Sequence, residues 1–259
     1  MAPAGMSRVP DAAPELNWLL AEHEKNVWTG MDPTGWQDSV WVLHAMYENP
    51  TLEGAGTHDD ENKRRIAAGG EPTMIGDFNL DEATTDSGVP LGYSSTPGPD
   101  WRRLTWGEYL ARSGHSLRDP HIYPPCHRWF PPDSWPLSID PPPEGSLDQA
   151  SFAALIHSIA AFEPNAYDTE IFAFMAMLPA GSTDDTDYHL WKGPLGAIPS
   201  LMVEGYRFTP TNWWPADRSW FVWTDYDLQG TKVSGPTGLI ESVRSDDRLE
   251  TTAWNKSSN

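Results

Sequence analysis

Two aspartates near the C-terminal end are the residues whose type and spacing best suit chemistry. Asp225 and Asp227 follow the aromatic run 219–224, which predicts a strand. If the strand continues, side chains two residues apart point to one side, and two neighbouring carboxylates can share a proton or hold a metal ion. The alternative is that these aspartates are turn caps and charge partners of the nearby Arg218 and Lys232.

A second group of residues offers metal ligands. His58, Asp59 and Asp60 are consecutive and carry imidazole and carboxylate groups. Consecutive side chains point in different directions, and a second cluster with ligand spacing is missing, so a solvated loop is the simpler interpretation. Nucleotide-binding, hydrolase, zinc-protease and CxxC motifs are absent. We therefore expect no cofactor, and we expect the single cysteine, Cys126, to be buried and unreactive.

The aromatic residues suggest a binding surface. The chain has fourteen tryptophans and twenty-five prolines. An indole presents a large apolar area with one N–H that needs a partner, so a groove lined by tryptophan is one interpretation. The candidate binding residues are Trp213, Trp214, Arg218, Trp220 and Trp223. The alternative, which the proline content favours, is an irregular core in which indoles replace regular structure.

The segment that holds these residues also carries a resemblance. Residues 213–235 read WWPADRSWFVWTDYDLQGTKVSG. This segment resembles a pattern, WWPxDRxWxVxTDxDxxxTxVxG, of uncharacterised actinobacterial proteins. The upstream pieces YHLWKGP (188–194) and EGSLD (144–148) are similar to parts of the same proteins. The resemblance implies a lineage and attaches no activity to it.

Acidity is the strongest compositional signal. The chain has 37 acidic residues against 17 lysines and arginines, and its formal net charge is -20. Such a surface repels phosphate backbones and anionic membranes, so we expect neither nucleic acid nor a membrane as a partner. It would attract a basic protein partner, although solubility alone also explains the acidity.

The cellular compartment is predicted from the N-terminal residues, the length of the apolar runs and the number of cysteines. The N-terminal residues have no apolar core typical of a signal peptide. The longest apolar run, 171–178, is far shorter than the roughly 20 residues that span a bilayer. A lone cysteine gives no sign of an oxidising compartment. We expect a cytoplasmic protein.

The elements that position these residues fall into two regions that together could form a single domain. Residues 1–143 predict an irregular, Pro/Trp-rich region packed on the rest of the fold, with helices over 14–25 and 104–112 and a strand over 39–47. The acidic stretch 48–86 predicts a long solvated excursion, and whether 48–100 is ordered is left open. Nine prolines in 120–143 exclude a central strand or a helix interior, so that segment is predicted to lie extended along the surface.

Residues 144–259 predict a more regular α+β region. A capping-box match at Ser146 and Gln149 predicts a helix through 162, and Pro236 predicts the start of another. Strands are predicted over 170–178, 188–192, 219–224, 230–234 and 249–254. This order predicts an α+β fold with a largely antiparallel sheet and flanking helices.

Two functions are compatible with these patterns. The first is a non-catalytic protein-interaction module, such as an immunity-like neutraliser of a basic partner; it rests on the acidity and on the absence of catalytic motifs. The second is an enzyme that uses carboxylates such as Asp225 and Asp227 in a pocket lined by tryptophan. A deep pocket at the carboxylates would favour the enzyme, and a flat acidic face would favour the interaction module.

Overall fold

The computed structural model describes residues 4–25, 31–75, 77–95, 97–162, 166–176, 189–203 and 206–254. The fold is α+β, as predicted, and its centre is an eight-stranded antiparallel sheet. A three-stranded sheet and a two-stranded hairpin are separate from the large sheet. In the described parts of the chain, helices are too short or too polar to cross a membrane.

The strands and helices are numbered in chain order. The strands are β1 Ser7–Arg8, β2 Asp38–Leu43, β3 Met46–Glu48, β4 Met74–Ile75, β5 Phe78–Asn79, β6 Arg102–Leu104, β7 Ile139–Asp140, β8 Glu170–Met175, β9 His189–Pro194, β10 Asn212–Pro215, β11 Phe221–Trp223, β12 Gly230–Gly235 and β13 Thr251–Thr252. The α-helices are α1 Ala13–Lys25, α2 His58–Ala67, α3 Leu80–Ala83, α4 Trp106–Ser113, α5 Gln149–Phe162, α6 Ser200–Val203 and α7 Thr237–Arg244. Short 3₁₀ turns lie at Pro50–Leu52, His127–Trp129, Ala166–Asp168 and Leu195–Ala197.

The large sheet has the strand order β1-β9-β8-β10-β11-β12-β2-β13. Strands β2, β8, β10 and β11 contribute large buried apolar side chains to both faces because both faces of the sheet are covered, and side chains alternate between the faces. Trp213 and Trp214 are neighbours in β10, yet they belong to different core clusters. Helices α5 and α7 supply Phe152 and Ile240 to the cluster of Trp213, whereas α1 supplies Leu16 to the cluster of Trp214.

Strands from both sides of residue 143 share this sheet. β2 lies between β12 and β13, and it pairs with β12 from Asp38 opposite Gly235 to Leu43 opposite Gly230. The predicted strand 39–47 therefore exists, but it breaks at His44 and continues as β3 in the three-stranded sheet. The N-terminal region thus supplies β2, which has a partner strand on each side, to the sheet and does more than pack on it.

A buried histidine occupies the break between β2 and β3. Nδ1 of His44 lies 2.6 Å from the carbonyl oxygen of Pro143, and Nε2 lies 3.0 Å from Oγ1 of Thr231. Because a carbonyl can only accept, Nδ1–H must donate to it, and Thr231 then donates to Nε2. Thr224, 2.7 Å from the Thr231 hydroxyl, donates to Thr231 in turn. Burial lowers the pKa of His44 to about 4, so this chain suits a neutral imidazole.

The proline-rich segment 120–143 lies deeper than predicted. It contains only the short strand β7 and one 3₁₀ turn, as its prolines require. However, Trp129, Phe130 and Trp135 are all buried and belong to the core cluster of Trp214. The segment contributes its side chains to the core without joining the large sheet.

The tryptophans pack against one another in pairs inside this core. Among the described residues, five pairs of indole rings meet edge to face, with ring centroids 5.6 to 6.0 Å apart: Trp18–Trp214, Trp41–Trp223, Trp41–Trp254, Trp106–Trp129 and Trp213–Trp220. This geometry is the one that the electrostatic quadrupoles of aromatic rings favour. The pairs fill volume that a more regular fold would give to aliphatic side chains.

Several predicted elements need correction. The acidic stretch 48–86, predicted as a solvated excursion, contains the helix α2, which begins with a capping box between Thr57 and Asp60. The predicted capping box at Ser146 is wrong, because Asp148 accepts the Ser151 amide at 2.9 Å. The last predicted strand, 249–254, is reduced to β13. Residues 177–178 and 188, at the ends of two predicted strands, lie outside the described residues.

Candidate protein-interaction site

The loop between β11 and β12 presents the two predicted aspartates. The strands pair antiparallel, with Trp223 opposite Lys232. Inside the loop the Leu228 amide donates to the Asp225 carbonyl at 3.2 Å, and the Tyr226 amide donates to Asp225 Oδ1 at 2.7 Å. These bonds fix the loop so that Tyr226 points outward, with 58 % of its surface exposed.

A second segment is fastened beside this loop by backbone hydrogen bonds. The Gly145 amide donates to the Leu228 carbonyl at 2.8 Å. Glu144 exchanges bonds with the chain at 90–92, as its amide donates to the Pro90 carbonyl at 2.9 Å and its carbonyl accepts the Gly92 amide at 2.8 Å. This arrangement places Leu91, which is 63 % exposed, next to Glu144.

A third segment completes the surface. Cys126 forms a β-bridge with Leu228, and the Gln229 amide donates to the Pro125 carbonyl at 2.9 Å. Nδ1 of the exposed His127 then lies 3.5 Å from Oε1 of Glu144. Cys126 itself is buried, and burial raises the pKa of its thiol, so it is held in the unreactive protonated form.

The carboxylates of this surface act on one another. Burial raises the pKa of Asp225 from 3.8 to about 6, and the charge and hydrogen bond of Asp227 add to the effect. Burial also raises the pKa of Glu144, with His127 opposing the change and Asp227 reinforcing it. The structure therefore brings Asp225 and Asp227 together with a third carboxylate that is distant in sequence.

The resulting surface combines negative charge with apolar anchors. We call it the acidic anchor surface, and it consists of Leu91, His127, Glu144, Asp225, Tyr226 and Asp227. An aromatic face attracts an ammonium or guanidinium group, and carboxylates beside the ring add charge-assisted hydrogen bonds. Leu91 offers an apolar contact next to them. Such a surface is suited to bind a basic side chain together with its apolar neighbours.

The predicted tryptophan surface is instead part of the core. Trp213, Trp214, Trp220 and Trp223 are each at most 2 % exposed, so they are not accessible to a ligand. Arg218 is exposed, and its guanidinium stacks 4.5 Å from the ring centre of Trp18. It lies before β11, whereas the acidic anchor surface follows β11, so the structure does not bring Arg218 and Asp225 together.

The three candidate metal ligands have structural contacts at the start of α2. Nε2 of His58 lies 3.0 Å from the Ile139 carbonyl oxygen. Asp59 pairs with Lys63, and Asp60 accepts the Thr57 amide at 3.0 Å. Among the described residues, histidine, cysteine, aspartate and glutamate do not form a group of three that could hold a metal ion. These side chains position the helix.

Only Asp225 and Asp227, two of the six residues of the acidic anchor surface, are predicted from the sequence as site residues. Tyr226 lies between them in the segment 213–235 but is not itself a predicted site residue. Glu144 lies in the EGSLD piece of the actinobacterial resemblance, and this was its only signal. Leu91 could have been noticed as a large apolar residue between Pro90 and Gly92, where a buried strand is not expected. His127 carries no signal beyond its place next to Cys126.

Comparison with known proteins adds no relative. No protein-family model matches the chain, and no curated protein and no solved structure matches it. The resemblance to actinobacterial proteins stays a prediction. The function is therefore inferred from the fold and from the geometry of the acidic anchor surface.

Proposed function

We propose that the protein is a non-catalytic interaction module that binds a basic protein partner through the acidic anchor surface. The observation that carries the proposal is Tyr226, an exposed aromatic residue whose two neighbours in the chain are the acidic Asp225 and Asp227, on a hydrogen-bonded loop. Tyrosine is among the residues that dominate binding energy at protein interfaces. A basic side chain of the partner would lie over this ring.

The rigidity of the surface supports the proposal. Four chain segments are joined by backbone hydrogen bonds, from Gly145 to Leu228, from Gln229 to Pro125 and from Glu144 to Pro90. A surface that is already ordered loses less conformational entropy when a partner binds. The apolar Leu91 and Tyr226 would then supply contact area without first having to be immobilised.

The charge of the whole chain supports a basic partner. A net charge of -20 accelerates the approach of a positively charged protein and repels nucleic acid. This charge favours one specific function, in which the protein neutralises a basic, toxin-like protein in the cytoplasm. In that role the acidic anchor surface would cover the basic residues that such a protein needs for its own target.

The proposal is tested by capture of the partner from the native host at low and moderate salt. We expect the wild type to retain a basic protein that is released as salt rises. Tyr226→Ala should lower the affinity for that protein about tenfold or more, as expected for an interface anchor. The matched control is Tyr167→Ala, another exposed tyrosine, 48 % exposed and remote in sequence. Equal retention by both variants, or no partner at any salt, would contradict the proposal.

A second candidate function is supported by the raised pKa of Asp225. A carboxyl with a pKa of about 6 can act as a general acid or base near neutral pH. An enzyme would lose its activity on Asp225→Asn and keep most of it on Tyr226→Ala, whereas the interaction module should depend on Tyr226. The burial of the four tryptophans favours the interaction module, because they do not line a pocket at the carboxylates.

A further inference from the structure

A cavity of about 420 Å³ lies beside the three-stranded sheet. The residues that line it do not belong to the acidic anchor surface. Its apolar lining comes from Leu104, Tyr109 and Ile139. Leu104 and Ile139 are buried, and the Tyr109 ring packs 4.9 Å from the ring of Trp135. The volume is within the range of small-molecule sites, which combine apolar walls with a few convergent polar groups.

The polar groups of this cavity include two arginines held by one buried glutamate. Glu48 is 8 % exposed, and its Oε1 and Oε2 accept from Arg102 and Arg112, each at 2.8 Å. A second cavity, of about 330 Å³, is lined by the same three residues, so open space lies around the arginine pair. Each guanidinium has five N–H donors, and the contacts to Glu48 leave donors for a further acceptor.

The other acids near the cavity do not compete strongly for these donors. Oε2 of Glu108 accepts the Thr105 amide and hydroxyl, both at 2.9 Å, as the capping box of α4. Glu53 is exposed. Glu48 and its two arginines together carry a single positive charge. Glu53 and Glu108 lie near Arg112 and oppose any anion, so the site accommodates one carboxylate better than a dianion.

We infer that this cavity binds a small organic acid with one carboxylate and an apolar body. The carboxylate lies on Arg102 and Arg112, which present the planar donors that suit it. The apolar body lies over Leu104, Tyr109 and Ile139. Nothing in this inference depends on the acidic anchor surface, since the two sites share no residue.

The test uses benzoate as the probe and benzamide as its neutral equivalent. The binding of each to the protein is measured by ligand-observed NMR titration. For a molecule of this size we expect benzoate to bind with a dissociation constant of about 1 mM. Benzamide has nearly the same shape but no charge, and it should bind about tenfold more weakly. No benzoate binding at several times that concentration, or equal binding of the two probes, overturns the inference.

Two variants locate the probe. Arg112→Gln should weaken benzoate binding about tenfold, whereas Arg207→Gln, at another exposed arginine, should leave it unchanged. Because Arg112→Gln removes one partner of a buried glutamate and could disturb folding, Ser138→Phe provides a second test. Ser138 lines the cavity, and a phenyl ring there should exclude benzoate while both arginines remain. Benzoate binding that survives Ser138→Phe overturns the inference.

Discussion

Asp225 is the residue whose protonation is most strongly coupled to the candidate site. Its pKa is raised to about 6, first because the loop withdraws the carboxyl from water and second because Asp227 lies beside it. The folded state therefore binds the proton more tightly than the unfolded chain, in which the pKa is near 3.8. The resulting stability is fully present below the unfolded pKa and is lost as pH rises through about 6.

The first prediction concerns Asp225→Asn. The amide keeps the acceptor for the Tyr226 amide but cannot ionise, so it avoids the cost of a buried charge. We expect the free energy of unfolding to rise by about 2 kcal/mol at pH 7 and to change little near pH 4. Urea unfolding at both values checks this, with the exposed Glu241→Gln as the control. An equal effect at the two pH values would contradict it.

His44 also contributes a pH-dependent stability, so the effect of Asp225 has to be measured as the difference between Asp225→Asn and wild type. Burial lowers its pKa from 6.5 to about 4, so the stability that depends on the neutral ring is lost as pH falls through that window. This trend is opposite to that of Asp225. The pH profile of the wild type alone mixes the two, whereas the difference between Asp225→Asn and wild type isolates Asp225.

At the scale of elements, the turn before α5 determines the position of the Tyr226 loop. Gly145 has a φ of +76°, in the left-handed region that favours glycine. A Cβ at this position would lie 2.8 Å from both the Phe208 ring and the Tyr226 carbonyl oxygen. The close approach of this turn to the loop therefore requires glycine at position 145 for two reasons, its backbone conformation and its lack of a side chain.

The second prediction follows from that contact. Gly145→Ala should lower the free energy of unfolding by about 3 kcal/mol, since backbone strain and overpacking add. Gly114 has a similar φ of +70°, but a Cβ added there would have nothing within 4 Å. Gly114→Ala should therefore lower the free energy of unfolding by only about 1 kcal/mol. Chemical denaturation of both variants measures the difference. Gly145→Ala should also weaken partner binding by shifting Tyr226, and an unchanged affinity would show that the loop tolerates the shift.

Local sequence signals predicted some helix starts and failed at others. The predicted helix 104–112 exists as α4, and Thr105 and Glu108 form a capping box at its start. The box of Thr57 and Asp60 was overlooked because its third position is aspartate and the surrounding residues are highly polar. At Ser146 the pattern matched by chance, because the hydroxyl of Ser146 bonds to Thr209, a residue far along the chain. Tertiary contacts decide such cases, and a four-residue pattern does not contain them.

At the scale of the whole molecule, one sheet separates two cores, and the layers that cover its two faces differ in secondary structure. One face is covered by the helices α5 and α7, whose apolar periodicity is visible in the sequence. The other face is covered by α1 and by the irregular segment 120–143. The fold class and six strands of the large sheet were therefore predictable, whereas β1 and β10 of that sheet were not predicted. The packing of the irregular layer, and with it the meeting of Leu91, His127 and Glu144, was not, because loops have no periodicity.

The third prediction is that the two cores unfold together. Trp213 and Trp214 are adjacent in β10 but report on opposite faces. With fluorinated tryptophan, the two ¹⁹F NMR signals can be assigned from Trp213→Phe and Trp214→Phe. Because both faces depend on the same strands, we expect the signals to disappear at one urea midpoint, as in a two-state transition. Separate midpoints would show that the irregular layer melts independently.

The edge-to-face tryptophan pairs have a consequence for how this protein responds to light. Indole rings whose centres are 5.6 to 6.0 Å apart are close enough for their electronic transitions to couple. Coupled indoles contribute circular dichroism of their own in the far ultraviolet, where helices and strands also absorb. The far-ultraviolet spectrum therefore reports the packing of the aromatic core as well as the backbone, and a helix content derived from it would not match that of the fold.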